Sequence, residues 1–140
     1  MSNNYAGVRV LRIPESAARS VFERLEQLEA ADAASRAHER YAYVIPDGIT
    51  VTFDHPGGST VKVVVAPRNL SASGMSMLHG GFVYPNTPCS VRLHRLDGGF
   101  ETVNGSVTRC RVLAGRVHEI GVKFARPIEP EHFVPPEPNR

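Results

Sequence analysis

The chain has 140 residues, the length of one domain, and its 41% hydrophobic content is enough for a single core without metal or disulfide staples. Its formal charge of +2 is concentrated in residues 41–126, where nine basic face five acidic side chains; that excess suits a small anion and excludes the long basic stripe of a duplex nucleic-acid binder. Two distant cysteines, Cys89 and Cys110, exclude a disulfide-rich secreted scaffold, and the absence of any long apolar run predicts a cytoplasmic protein with reduced thiols and no membrane insertion.

From Pro14 the pattern is helical. Ala18, Val21, Phe22, Leu25 and Leu28 recur at three-and-four spacing, while Arg19, Glu23, Arg24 and Glu26 point elsewhere. Pro14 suits a first helical turn, and Glu15 stands four residues before Arg19 as a favourable pair. The spacing predicts a helix from about Pro14 to about Ala34. Its apolar stripe must pack on this domain or on another subunit. Between Leu28 and Tyr41 no large apolar residue occurs, so burial cannot anchor that stretch.

After Tyr41 the period becomes two. Ile49, Val51 and Phe53 alternate with Thr50 and Thr52, Pro56-Gly57-Gly58 makes a turn, and Val61, Val63 and Val65 alternate again. Further strands are predicted at Met75 to Leu78, Ser90 to Leu96, Phe100 to Val112 and Val117 to Ala125, with turns at Asp97-Gly98-Gly99 and Ala114-Gly115. Six strands, several joined by tight turns, predict a closed or nearly closed antiparallel barrel, since closure removes exposed edges. The chain divides into an N-terminal extension and helix (residues 1–34), a barrel (35–126) and a Pro-rich tail (127–140), expected to be extended.

Two short motifs carry chemistry. Arg36 and Arg40 form Arg-x-x-x-Arg just before the first strand. With 14 arginines in the chain, such a spacing means little by itself, and its bland reading is a solvated helix end. Asn69-Leu70-Ser71-Ala72-Ser73-Gly74, between the second and third strands, fits Asn-x-Ser-x-x-Gly; its bland reading is an ordinary turn. The order is more specific: helix, Arg-x-x-x-Arg, hairpin, Asn-x-Ser-x-x-Gly, and Gly121-Val122-Lys123-Phe124 in the last strand. Over roughly residues 36–126 this resembles the bacterial PilZ domain family.

The resemblance implies a mainly β fold, a six-stranded antiparallel PilZ-type barrel with an N-terminal helix. It also implies a receptor for the second messenger cyclic di-GMP, with Arg36 and Arg40 on one side of the ligand and Asn69, Ser71 and Gly74 on the other. A downstream protein partner would take the signal, through a conformational change that orders Ala34 to Tyr43 and redirects the helix. The chemistry is compatible. A guanidinium fork pairs with the O6/N7 edge of guanine or clamps a phosphate, each good pair worth roughly 1 to 3 kcal/mol. Asn69 and Ser71 offer short polar groups, and Gly74 permits close backbone approach.

Two departures from the usual pattern stand out. Ala37, His38 and Glu39 fill the first motif where many relatives have further basic residues, and no tryptophan occupies the fifth strand. Arg109 falls at about the tryptophan position, with Arg111 two residues on; either could meet the ligand, or both are exposed strand arginines. The alternative function is a PilZ-fold adaptor acting by protein contact, with weak or no nucleotide binding.

Other chemistries find less support. The six histidines, His38, His55, His79, His94, His118 and His132, are dispersed and suggest no metal site, and no cofactor is expected. Ser71 has no recognisable base or elbow, so no enzyme is expected. Tyr41, Tyr43, Phe53, Phe82 and Tyr84 would serve either as core or as a stacking platform for single-stranded RNA.

Overall fold

A computed structural model describes residues 8–32 and 39–135. Among the described residues two helices, α1 (Val8–Leu11) and α2 (Glu15–Asp32), precede seven strands: β1 (Tyr41–Ala42), β2 (Ile49–Asp54), β3 (Thr60–Leu70), β4 (Gly74–His79), β5 (Pro88–His94), β6 (Phe100–Ala114) and β7 (Val117–Phe124). A 3₁₀ turn, Pro130–His132, follows. No helix among the described residues is long and apolar enough to cross a membrane.

All strand pairs are antiparallel, in the order β3-β2-β5-β6-β7-β4, and β4 pairs back onto β3 to close a six-stranded barrel. The two-residue β1 is added on β3, with Tyr41 opposite Leu70 and Ala42 opposite Asn69. The period-two pattern explains the inside. Ile49, Val51 and Phe53 of β2 are buried, as are Met75 and Met77 of β4, Val91 and Leu93 of β5, and Ile120 and Val122 of β7. Burying each such side chain contributes roughly 1.5–3 kcal/mol.

A second cluster lies outside the barrel. Ala18, Val21, Phe22 and Leu25 of α2 pack on Ala66, Leu78, Leu113 and Val117. The helix stripe therefore finds its partner in this chain's own barrel wall. Arg68 of β3 adds an ion pair to Glu29 (3.5 Å) and lies over the Phe22 ring at 5.3 Å. The one-turn α1 was beyond reach of periodicity, because four residues make no repeat.

The Pro-rich stretch departs from the extended tail expected of it. Phe133 and Val134 are buried in the barrel core, Ile128 N–H donates to Ala72 O (2.9 Å), and Leu96 N–H donates to His132 O (2.9 Å). Residues 127–135 thus plug the end of the barrel that carries the Asn69–Gly74 turn. Two large apolar side chains after the prolines supply the burial that an extended tail would forgo.

Of the aromatics weighed for stacking, Tyr43 and Phe53 are core, Tyr41 is partly buried against the core, and Phe82 and Tyr84 are exposed. The Tyr43 hydroxyl accepts from His94 N–H at 2.8 Å, and burial raises its pKa. Both thiols are free; burial, with Asp54 nearby, pushes the Cys89 thiol up to about 11.

Candidate functional site

β3 ends and β4 begins in the turn formed by the second motif. Ser71 holds it shut. Its Oγ accepts from the N–H groups of Ser73 and Gly74 (3.2 Å each) and lies 3.2 Å from Gly74 O, to which it donates, while Ser71 N–H donates to the same carbonyl at 2.8 Å. This is the local hydrogen bonding that serine offers a turn. Ser71 is 5% exposed, so its hydroxyl is committed to the turn itself.

Gly74 is required by the barrel. It stands opposite Lys123, and a Cβ added there would collide with the carbonyl oxygen of Val122. Only glycine lets β4 approach β7 this closely.

Arg40 immediately precedes β1, and the pairing of β1 with β3 carries it to the second motif. Its Nη1 donates to Asn69 Oδ1 at 3.2 Å, joining positions 29 residues apart. Arg36 lies outside the described residues.

Arg109 reaches the same place by a bulge. Val107 points into the barrel, and strict alternation would send Arg109 inward too. The β6–β7 register shifts between Val107 and Arg109, so Arg109 stands opposite Gly121 on the outer face, over a glycine that leaves room for it. There Arg109 makes a bidentate pair with Glu119, Nε to Oε1 at 3.0 Å and Nη2 to Oε2 at 2.7 Å. Arg111 donates to Oε1 of the same carboxylate at 3.2 Å through Nε and lies within 3.1 Å through Nη2. Glu119 is fully buried. Two guanidiniums satisfy it and leave a net positive charge on the barrel wall.

Together these residues bound a cleft of about 160 Å³, lined by Arg40, Ser71, Ser73, Gly74, Arg109 and Lys123, with Gly121 among its walls. The cleft thus unites Arg40, Ser71, Gly74 and Arg109, with Asn69 attached through Arg40. Arg111 joins through Glu119. Lys123 and Glu119 were not singled out from the sequence. Lys123 lies inside the Gly-Val-Lys-Phe segment, whereas nothing in spacing distinguishes Glu119 from a solvated strand acid. The Ser76 hydroxyl, fully buried between Asn69 and Gly121 in register, has no hydrogen-bond partner.

The opposite barrel end gathers side chains far apart in sequence. His79 stands opposite His118, and His55 and His79 each lie 5.9 Å from the Phe53 ring, centroid to centroid. Burial, then His118 and His55, lower the His79 pKa. Among the described residues no group of three side chains is placed to hold a metal ion.

The chain matches no family model and no curated protein. Among solved structures it is similar to the Bacillus subtilis inhibitor of motility MotI/DgrA, at 12% identity and a TM-score of 0.46 over 69% of this chain and 46% of that one. It is similar also to the PilZ domain of Escherichia coli YcgR with c-di-GMP, at 12% identity and 0.45, over 64% and 77%. A third is Borreliella burgdorferi PlzA in complex with c-di-GMP, at 16% identity and 0.41, over 81% and 43%. The chain spans less than half the length of the first and third. The six-stranded antiparallel closure, the N-terminal helix and Arg40 beside the Asn69–Gly74 turn at one end of the barrel are the architecture expected of a PilZ-type fold.

Proposed function

We propose that this chain is a cyclic di-GMP receptor whose ligand is held by Arg36 and Arg40 on one side and by Asn69, Ser71 and Gly74 on the other, with Arg109 and Arg111 contributing positive charge. The observation that supports this reading above others is the Arg40–Asn69 hydrogen bond, which joins the two motifs beside a cleft bordered by Arg109 and Lys123. Convergent cations suit a bis-phosphate, and a guanidinium beside an amide suits the polar edge of guanine. Ser71 and Gly74 act by shaping the turn whose backbone borders the ligand. The solved relatives with c-di-GMP are consistent with this ligand.

The signal leaves through β3. Asn69 touches Arg40, and the adjacent Arg68 touches Glu29 and Phe22 of α2. A ligand that tightens the first motif would shift the population of α2 positions, which a downstream protein partner would read. This is a cytoplasmic bacterial adaptor's work, with no catalysis, cofactor or resident metal. Amide exchange should show new protection across residues 34–43 on adding nucleotide; equal protection with and without it would remove the switch.

The adaptor reading without nucleotide has one observation in its favour. Ser71, Gly74 and Arg109 already have structural partners, so their presence does not require a ligand. Calorimetry decides. The receptor reading expects saturable binding of cyclic di-GMP over cyclic di-AMP, weakened about tenfold or more by Arg36→Ala or Arg40→Ala with unchanged circular dichroism. No heat of binding with folded protein would leave the adaptor.

A further inference from the structure

A larger recess lies far from the motif turn, where the α1–α2 junction faces the β6–β7 hairpin. It encloses about 410 Å³, within the roughly 300–1,000 Å³ of small-molecule pockets. Its walls are aliphatic, with Leu11 and Ile13 from the junction, Val21 from α2 and Val117 from β7. Two cations line it, Arg12 and Arg116, both exposed. Neither guanidinium has a carboxylate partner among the described residues, unlike Arg109 and Arg111, which share Glu119. Arg12 also sits in the left-handed region (φ 57), where a helix end ordinarily places glycine or asparagine.

An apolar hollow lined by two exposed guanidiniums has the polarity of an amphiphile with one anionic head. A chain of methylenes would remove the aliphatic walls from water, and a carboxylate would accept from both arginines. A nucleotide would offer the walls only the faces of its base and no aliphatic tail. A neutral lipid has nothing for the arginines. The geometry points to a binding site for a medium-chain aliphatic carboxylate, its head held by Arg12 and Arg116 and its tail along the half-buried Leu11 and Ile13. This site is separate from the motif cleft and does not rest on cyclic di-GMP binding.

Calorimetric titration of the full 140-residue chain with hexanoate, octanoate, decanoate and decanol, below the concentrations that form micelles, tests it. Affinity should rise about fourfold per added methylene along the carboxylate series. Arg116→Gln and Arg12→Asn, the latter suited to the left-handed backbone, should each weaken decanoate about two- to fivefold and leave decanol unchanged. Gly80 lines the recess, and a Cβ there meets open space, so Gly80→Phe should fill the hollow and abolish binding while preserving the unfolding midpoint. Absence of saturable decanoate binding, affinity independent of chain length, or full binding by a folded Gly80→Phe variant would each overturn the proposal.

Discussion

The outer face of β7 borders two regions built in different ways. At one end Val117 is sealed under α2, in a seam with Leu25, Leu78 and Leu113. At the other, Gly121 and Lys123 border a cleft of arginines and turn backbone. Glu119 stands between them, fully buried and paired with both Arg109 and Arg111. The seam rests on area removed from water, which is indifferent to direction. The cleft rests on directed hydrogen bonds and on backbone proximity that tolerates no extra atom. Substitutions at the two ends should therefore fail in different ways: seam changes should cost stability and spare ligand affinity, and cleft changes should do the reverse unless they touch the barrel frame.

The largest effect belongs to the seam. Leu25→Ala, at a fully buried position, should lower unfolding free energy by about 3 kcal/mol in urea titration while cyclic di-GMP affinity stays within about twofold. A matching loss of affinity would mean that seam and cleft are one unit. Gly74→Val breaks the distinction deliberately, because its side chain would meet the Val122 carbonyl. It should cost about 2–3 kcal/mol and binding as well, whereas Ser73→Ala should change stability little.

Between the two regions, Glu119→Gln should cost about 2 kcal/mol by removing the charge that both guanidiniums share. The double variant with Arg109→Ala should lose clearly less than the two singles together, since each removes the same bidentate pair. Additive losses in thermal denaturation would show that the pair is not coupled. The smallest effect lies at the far barrel end. The folded-state pKa of His79 is below its ordinary 6.5, so the unfolded chain takes up the proton first as pH falls. That stability is complete above about pH 6.5 and declines below it. Melting temperatures between pH 7 and 5 should fall less steeply in His79→Gln than in the parent.

The strands were legible because alternation is a direct consequence of a two-sided sheet: Ile49, Val51 and Phe53 announce β2 and its buried face. The helix was legible from Ala18 to Leu28, but what its stripe covers depends on Ala66 and Leu78, small and large residues of β3 and β4 that carry no label for the outer wall. The two motifs foretold Arg40, Asn69, Ser71 and Gly74 in one neighbourhood. They did not foretell that Ser71 closes the turn and Gly74 admits β7, since both facts arise from contacts absent in linear order. The bulge before Arg109 was likewise hidden, and with it the pairing to Glu119. Phe133 and Val134 were obscured by the prolines around them.

The claim that two distant motifs make one ligand site is tested most directly by a double-variant cycle on cyclic di-GMP affinity. Arg40→Ala, Asn69→Ala and the combination would be measured by calorimetry, each after its fold is verified by circular dichroism. The account predicts that each single variant weakens binding and that the double is weaker than the parent by less than the product of the two separate losses, with a coupling of at least about 0.5 kcal/mol. Independent, multiplicative losses, or a double variant that binds like the parent, would contradict it.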